Sequence, residues 1–331
     1  MQDKQWMLSK PVAFMVFNRP VTTRRVFEAI RRAKPPKLFV VADGPRADRE
    51  NENKICAEVR AITEKIDWEC EVYRNYADEN MGCKERMASG ITWVFQHVDE
   101  CIIIEDDILP DDSFFFFAET MLDKYRDDSR VMLVSGCSRL FGSPVNYISQ
   151  WSEYSYTFSK ISEVWGWATW KRAWDKYDIT MENWPEDKEN NLLRRVYDEH
   201  IASYMEHEFQ ATYDGKIDTW DYEWFYTVLH EDGYVVMPQG NLTTNIGFGE
   251  GATHTLNDND ELAHMRYVPI KIPFVHPEAV KRDIYGDILY SKFVYKYPPF
   301  SRRILTFIGR QFKKTEIGSK IWRKAKKVLK H

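Results

Sequence analysis

The ten residues from Cys101 to Pro110, CIIIEDDILP, constrain this chain more than any other stretch. Three isoleucines, Ile102–Ile104, run straight into Glu105, Asp106 and Asp107, and a proline follows. An unbroken apolar run of this kind predicts a strand buried on both faces, as in a parallel sheet. Three adjacent carboxylates at its end repel one another, and buried charge is costly unless a cation compensates it. A divalent metal is the simplest compensation, because hard cations prefer carboxylate oxygens. In open α/β sheets, ligands bind just beyond the carboxyl ends of the strands. The segment therefore predicts a site for a metal and a nucleotide. The alternative is an acidic turn that faces water.

Periodicity sets this strand in a series. Pro11–Phe17 reads as a first strand ended by Asn18-Arg19-Pro20. A helix follows, capped by Thr22 or Thr23, with Val26, Phe27 and Ile30 as its apolar stripe. Lys37–Ala42 is a second strand closed by Asp43-Gly44-Pro45. A charged helix from about Arg49 to Ile66 turns Ile55, Val59 and Ile62 inward, and Cys70–Tyr73 is a short third strand. A polar loop, Asn75–Gly82, leads to a helix over Lys84–Val98, with Met87, Ile91, Val94 and Phe95 on one face. Beyond the acidic strand, Asp111 or Asp112 caps a helix over Phe114–Tyr125, and Val131–Val134 is a further strand. Strand and helix thus alternate about five times in residues 1–136, the pattern of βαβ units and a mostly parallel sheet. Right-handed crossovers bring Asn18, Asp43 and Glu105–Asp107 to one crevice. There is no GxGxxG after the first strand and no GxxxxGK[ST], which argues against dinucleotide-binding and P-loop folds.

Residues 137–260 are richer in Trp, Tyr, Asn and Gly. They suggest a strand near Ser155–Phe158, helices near Ala168–Trp174, Leu192–Phe209 and Trp220–His230, and a strand at Tyr234–Met237. Asn241–His254 reads as a polar Gly-rich loop over a site. Five cysteines without CxxC spacing suggest reduced thiols. The opening MQDKQWMLSK lacks the apolar core of a secretory leader, and no apolar run reaches the ~20 residues of a membrane span. The expectation is a cytoplasmic protein. Net charge is −5, but Ser301–His331 holds eleven Lys and Arg against the single acid Glu316. That segment is +10, leaving −15 for the rest. Interleaved with Ile304, Leu305, Phe307, Ile308, Phe312, Ile321 and Trp322, it reads as a basic amphipathic helical tail suited to a membrane surface. A solvated helix packed back on the body is the alternative. An acidic body with no reading module argues against nucleic acid.

Strand-FNRP, strand-ADGPR, N-x-G, IIIEDDILP, WGWATWKRAW and an acid ahead of an aromatic helix occur in this order over roughly residues 10–255. The set resembles nucleotide-sugar-dependent glycosyltransferases of the GT-A fold, bacterial family 2-like proteins in particular. It is more distantly similar to the N-acetylglucosaminyltransferase I group, with EDD as a DxD-like motif. The resemblance implies an α/β GT-A fold with a mostly parallel Rossmann-like sheet flanked by helices. Residues 1–136 would be its nucleotide-sugar half, 137–299 its acceptor half and 300–331 the tail.

The same resemblance implies roles. Asp107 would hold Mn2+ or Mg2+, with His254 as a further candidate, and Glu105 and Asp106 would lie near ribose and base. Asn18, Arg19 and Asp43 would meet the nucleoside. Gly82, with Asn80, would let backbone approach the nucleotide, and Lys84 or Arg86 would reach phosphate. Asp43-Gly44-Pro45 is also ordinary turn chemistry. Asp221 would be the base, with Glu223 and Asp218 as fallbacks, although Trp220 stands where the family usually has an acid. All three acids also suit the start of a helix. Trp165, Gly166, Trp167 and Trp170 would line the donor sugar and acceptor, or the two later rings would be core. The implied activity is an inverting, metal-dependent transfer from a nucleoside-diphosphate sugar, UDP favoured. The implied acceptor is a glycan or lipid-linked glycan of a bacterial surface polysaccharide or lipopolysaccharide precursor, at the inner face of the plasma membrane. The rivals are a sugar-phosphate nucleotidyltransferase, which would need G-x-G-x-R after the first strand, and a non-catalytic glycan- or membrane-binding protein on the same fold.

Overall fold

A computed structural model of the chain describes residues 6–143, 152–248 and 265–295. The chain divides into two units, Met1–Tyr290 and Ser291–His331. His254 and the tail from residue 300 lie outside the described residues.

The first unit is mixed α/β, a large central sheet flanked by helices. Its elements begin with β1 (Val12–Val16), α1 (Pro20–Ala33), β2 (Lys37–Ala42), α2 (Glu52–Ile62), β3 (Glu71–Tyr76), α3 (Cys83–Val94) and β4 (Glu100–Glu105). Next come β5 (Ile108–Pro110), α4 (Asp112–Tyr125), β6 (Val131–Ser135), α5 (Arg139–Gly142), β7 (Tyr156–Ser159), β8 (Trp167–Trp170) and α6 (Lys171–Trp174). Then follow α7 (Trp184–Glu189), α8 (Leu192–Val196), α9 (Glu199–Tyr213), α10 (Asp221–His230), β9 (Tyr234–Pro238) and β10 (Thr243–Asn245). The last, α11 (Ile284–Val294), runs past the boundary between the units.

The main sheet has the strand order β3-β2-β1-β4-β8-β6-β9-β7, and β10 pairs with β5 in a separate two-stranded ladder. Strands β1 to β4 are mutually parallel. The apolar, buried runs of β1, β2 and β4 suit strands covered on both faces, while β3, at the sheet edge, is polar and partly exposed. Strand β8 runs antiparallel between β4 and β6, with Trp167 opposite Ile103 and Trp170 opposite Glu100. Its first residues therefore lie at the carboxyl ends of β4 and β6. One core face packs α1 and α4 against the sheet through Val26, Phe27, Ile30, Phe114, Phe117 and Met121.

Several local expectations need correction. The helix expected over Ala168–Trp174 starts late: Ala168–Trp170 belongs to a strand whose alternation puts Trp167 and Thr169 on one face and Ala168 and Trp170 on the other, and Lys171–Trp174 is helix. The helix expected over Leu192–Phe209 breaks at extended Tyr197, and Asp198 caps a new one by accepting from His200 N and Ile201 N. Neither Thr22 nor Thr23 caps α1. Pro20 occupies its first turn, where a missing N–H costs nothing, and both hydroxyls bond back to Arg19 O. In α2 the buried stripe is Cys56, Val59 and Ile62, while Ile55 is exposed. Asp111 is the cap of α4. All five cysteines are free thiols.

Candidate functional site

Parallel pairing sets Val16 beside Ala42 and Met15 beside Glu105, so β1, β2 and β4 end on one level. The residues that follow these ends meet there. After Glu105 the backbone turns through Asp106 and Asp107 into β5. Asp106 is buried, and its Oδ2 accepts from Phe17 N at 3.0 Å, tying the turn to the end of β1. The Asp107 carboxylate pairs with the Arg19 guanidinium. Ile246 N donates to Asp107 O at 2.8 Å, continuing the β5–β10 ladder, in which Asn245 stands opposite Ile108. Gly247 then passes so close that a Cβ there would lie 2.5 Å from Asp107 Oδ2. The segment expected to be a loop over the site is thus partly strand, anchored to the acidic turn itself. The three-residue runs Ile108–Pro110 and Thr243–Asn245 are too short for periodicity to reveal.

From the other side come α3 and α10. Gly82 takes φ +83°, a conformation suited to glycine, and a Cβ on it would sit 3.2 Å from Asp218 Oδ2. Asp218 Oδ1 accepts from Lys84 N at 3.3 Å, so this acid caps the start of α3 rather than of its own helix. Asp221, in the first turn of α10, is half-buried. Its Oδ1 accepts from the Thr219 hydroxyl, and its Oδ2 takes no hydrogen bond among the described residues.

Electrostatics shows how close these groups are. The Glu105 carboxyl keeps some solvent contact yet lies deep, and burial, then Asp107, Asp221 and Asp106, holds its pKa well above the usual range. Asp106 is raised too, by burial and Asp107. The Cys83 thiol, in the first turn of α3, is pushed up by burial and then by Glu105, Asp221, Asp218 and Asp107. The acidic turn, the start of α3 and the start of α10 therefore form one acidic crown. Two cations face it. Burial opposes the charge on Arg19, but Asp107, Asp106 and Glu105 outweigh it and raise its pKa. Lys84 Nζ lies 2.7 Å from Glu223 Oε1 as an ion pair without hydrogen-bond alignment.

Other expected residues have structural partners. Asp43 is buried and accepts from Gly44 N at 2.8 Å, Met81 N at 3.0 Å and Asn80 Nδ2 at 2.8 Å, stapling the Asn80–Gly82 loop to the end of β2. Burial raises its pKa despite those donors. Asn18 Nδ2 donates at 2.8 Å to Glu52 Oε1, and Glu52 is held to about 2 by Arg46. Buried Arg86 is engaged by Asn75 O and Oδ1. Glu223 is fully buried against Lys84, which leaves it no path to an acceptor hydroxyl.

Two of the four proposed sugar-lining residues are corrected. Trp167 and Trp170 are 0 % and 2 % exposed. Trp167 stacks on Trp220 at 5.4 Å, and Trp170 Nε1 donates to Leu122 O at 3.2 Å. Neither ring has a free face, and Trp220, 3 % exposed, is buried in the same cluster as Trp167. Gly166, at φ +68°, packs on Thr243. Trp165 is half-buried at the same end of the sheet, under the Arg139 guanidinium at 5.2 Å.

No group of three His, Cys, Asp or Glu side chains among the described residues is arranged to hold a metal ion. Sequence reasoning missed Cys83, Thr219 and Gly247. Only the glycine carried a signal, by lying in a polar segment beside β-forming threonines.

No protein-family model matches the chain, and no curated protein matches it. Among solved structures it is similar to S. aureus TarS 1-349, at 9 % identity over 51 % of this chain and 49 % of that one, with a TM-score of 0.34. It is similar to mouse xyloside xylosyltransferase 1 at 10 % identity over 67 % and 83 %, TM-score 0.31. It is also similar to a UDP-glucose pyrophosphorylase complexed with UDP-glucose at 12 % identity over 51 % and 71 %, TM-score 0.26. The chain spans about half the length of the TarS structure. At TM-scores of this size none of the three carries weight for fold or chemistry.

Proposed function

We propose that the chain is a glycosyltransferase that moves a sugar from a nucleoside-diphosphate sugar, UDP favoured, to a glycan acceptor with inversion. The observation that carries this reading is the acidic crown: an acidic turn at a buried strand end, faced by a second carboxylate, Asp221, from a different element. It joins the motif order in the sequence, which resembles family 2-like glycosyltransferases.

The donor's diphosphate would sit at the Asp107 turn. Asp107 fits Mn2+ or Mg2+ as a single protein ligand, the remaining oxygens coming from diphosphate and water. Bound there, the ion would neutralise charge on the leaving diphosphate. Arg19 would balance Asp107 when no donor is present. Asp221 Oδ2 would take the acceptor hydroxyl proton as that oxygen bonds to C1 and the C1–O bond to phosphate breaks, its electron pair leaving with the diphosphate. The Thr219 hydroxyl holds the opposite oxygen of Asp221 and so sets its orientation. Glu105 and Asp106 would face the nucleoside, and Trp165 the sugar. The acceptor class in this reading is a surface polysaccharide or lipopolysaccharide precursor, free or lipid-linked, met at the inner face of a bacterial plasma membrane.

Release of UDP from a panel of UDP-sugars tests the assignment of the base. Asp221→Asn should lower transfer by about a hundredfold or more while leaving donor affinity in place, the typical contribution of a general base. Unchanged turnover in this variant would remove Asp221 from the mechanism.

A further inference from the structure

Helix α11 is inside out. Its inward side carries polar groups. Asp287 is buried and accepts from Ser159 Oγ at 2.5 Å, Lys160 N at 3.3 Å and Arg282 Nε at 2.6 Å. One turn on, the Tyr290 hydroxyl donates to the fully enclosed Glu163. Its outward side carries Ile284, Tyr285 and Ile288, which are 58 %, 59 % and 51 % exposed. Ile288 is four residues on from Ile284 and three on from Tyr285, spacings that make side chains neighbours on a helix surface, so the three form a patch rather than scattered side chains.

β7 is the last strand of the main sheet. The chain runs along its open edge, with Ser155 N donating to Val275 O at 2.8 Å and Asp283 N to Phe158 O at 2.7 Å. Val275 and Ile272 on that segment are 49 % and 59 % exposed. Exposed apolar side chains thus occur both on the segment along the sheet edge and on the outward face of α11. Hydrogen bonds fix the helix by its polar side, so it cannot roll to hide the apolar one.

We propose that this face of α11 docks on an anionic lipid surface, inserting Ile284, Tyr285 and Ile288 at the headgroup boundary. Charge singles out lipid as the occupant. The sequence after this helix carries +10 over residues 301–331, interleaved with apolar residues, while the rest of the chain carries −15. An anionic surface attracts that basic segment, and α11 is the last described element before it in the chain. A tyrosine beside isoleucines is the composition that interfacial positions favour. No described helix is long and apolar enough to cross a membrane, so the contact is a surface one. The proposal does not depend on the chemistry assigned above. It adds a folded docking element to the basic tail expected from sequence.

The test is co-sedimentation of the full chain with phosphatidylcholine vesicles, with and without phosphatidylglycerol. The expected result is a preference for the anionic vesicles. It should fall about tenfold or more in Ile284→Ser/Tyr285→Ser/Ile288→Ser, with an unchanged melting temperature, and should rise in Ile288→Trp. The proposal is overturned if the triple variant partitions like the wild type, since the tail then acts alone. It is overturned equally if the wild type shows no preference for anionic vesicles. A third contrary result is a wild type that self-associates in velocity sedimentation through this face, with lipid binding unaffected by the substitutions.

Discussion

Replacing Glu223 with Gln tests the electrostatic account of the site through stability alone. Burial pushes this carboxyl up from 4.5 to about 7 against the opposing pull of Lys84. The folded chain therefore holds a proton that the unfolded chain releases once the pH passes about 4.5. Between there and about 7 the native state binds more protons, so its stability falls as pH rises. Each pH unit in that window is worth about 1.4 kcal/mol. The total is about 3 kcal/mol across the window, and above it the loss is constant. Gln keeps the shape and an oxygen for Lys84 but does not titrate. Urea denaturation at pH 5, 6, 7 and 8 should show the variant gaining on the wild type by about 2–3 kcal/mol from the lowest to the highest pH. The other buried acids titrate in both proteins and cancel in the difference. A difference that stays flat with pH, or shrinks as pH rises, would refute the claim that burial of Glu223 outweighs its pairing with Lys84.

Two further substitutions probe how the site is held. Gly44→Ala places a Cβ within 2.4–2.6 Å of the Glu79 backbone, so it should cost about 1–3 kcal/mol by chemical denaturation and loosen the Asn80–Gly82 loop. Trp167→Ala should cost about 3–5 kcal/mol in the same assay, as a core ring does; a weakened sugar affinity with stability intact would return this ring to the site.

The legible parts of the sequence were those with a strong local signal. Fully apolar runs such as Val12–Val16 and Ile102–Ile104 can hardly be anything but buried parallel strands. The reversal of polarity at Glu105 marked the end of β4, level with the ends of β1 and β2. Short or mixed segments failed for a physical reason. Trp167–Trp170 has helix-compatible spacing and becomes strand only because β4 and β6 pair with it from both sides. The aromatic residues there looked like ligand surfaces, but Trp167 is absorbed by an aromatic cluster with Trp174, Trp220 and Trp224. Asp218 looked like a cap for α10 and instead closes the start of α3, a contact across 134 positions that no local pattern encodes. Gly247 over Asp107 is of the same kind, and so is the outward apolar face of α11, whose sense depends on which side the fold buries.

The claim at the centre of this account is that Asp107 carries the metal that holds a nucleoside diphosphate. The most direct measurement is the thermal shift of the wild type and of Asp107→Ala with UDP, with and without Mn2+. A ligand that binds only the native state raises apparent stability by about 2.7 kcal/mol at a hundredfold excess over its Kd. The account predicts a UDP-dependent rise in melting temperature that requires Mn2+ in the wild type and is lost in Asp107→Ala. A rise of equal size in both proteins, or one that ignores Mn2+, would contradict it.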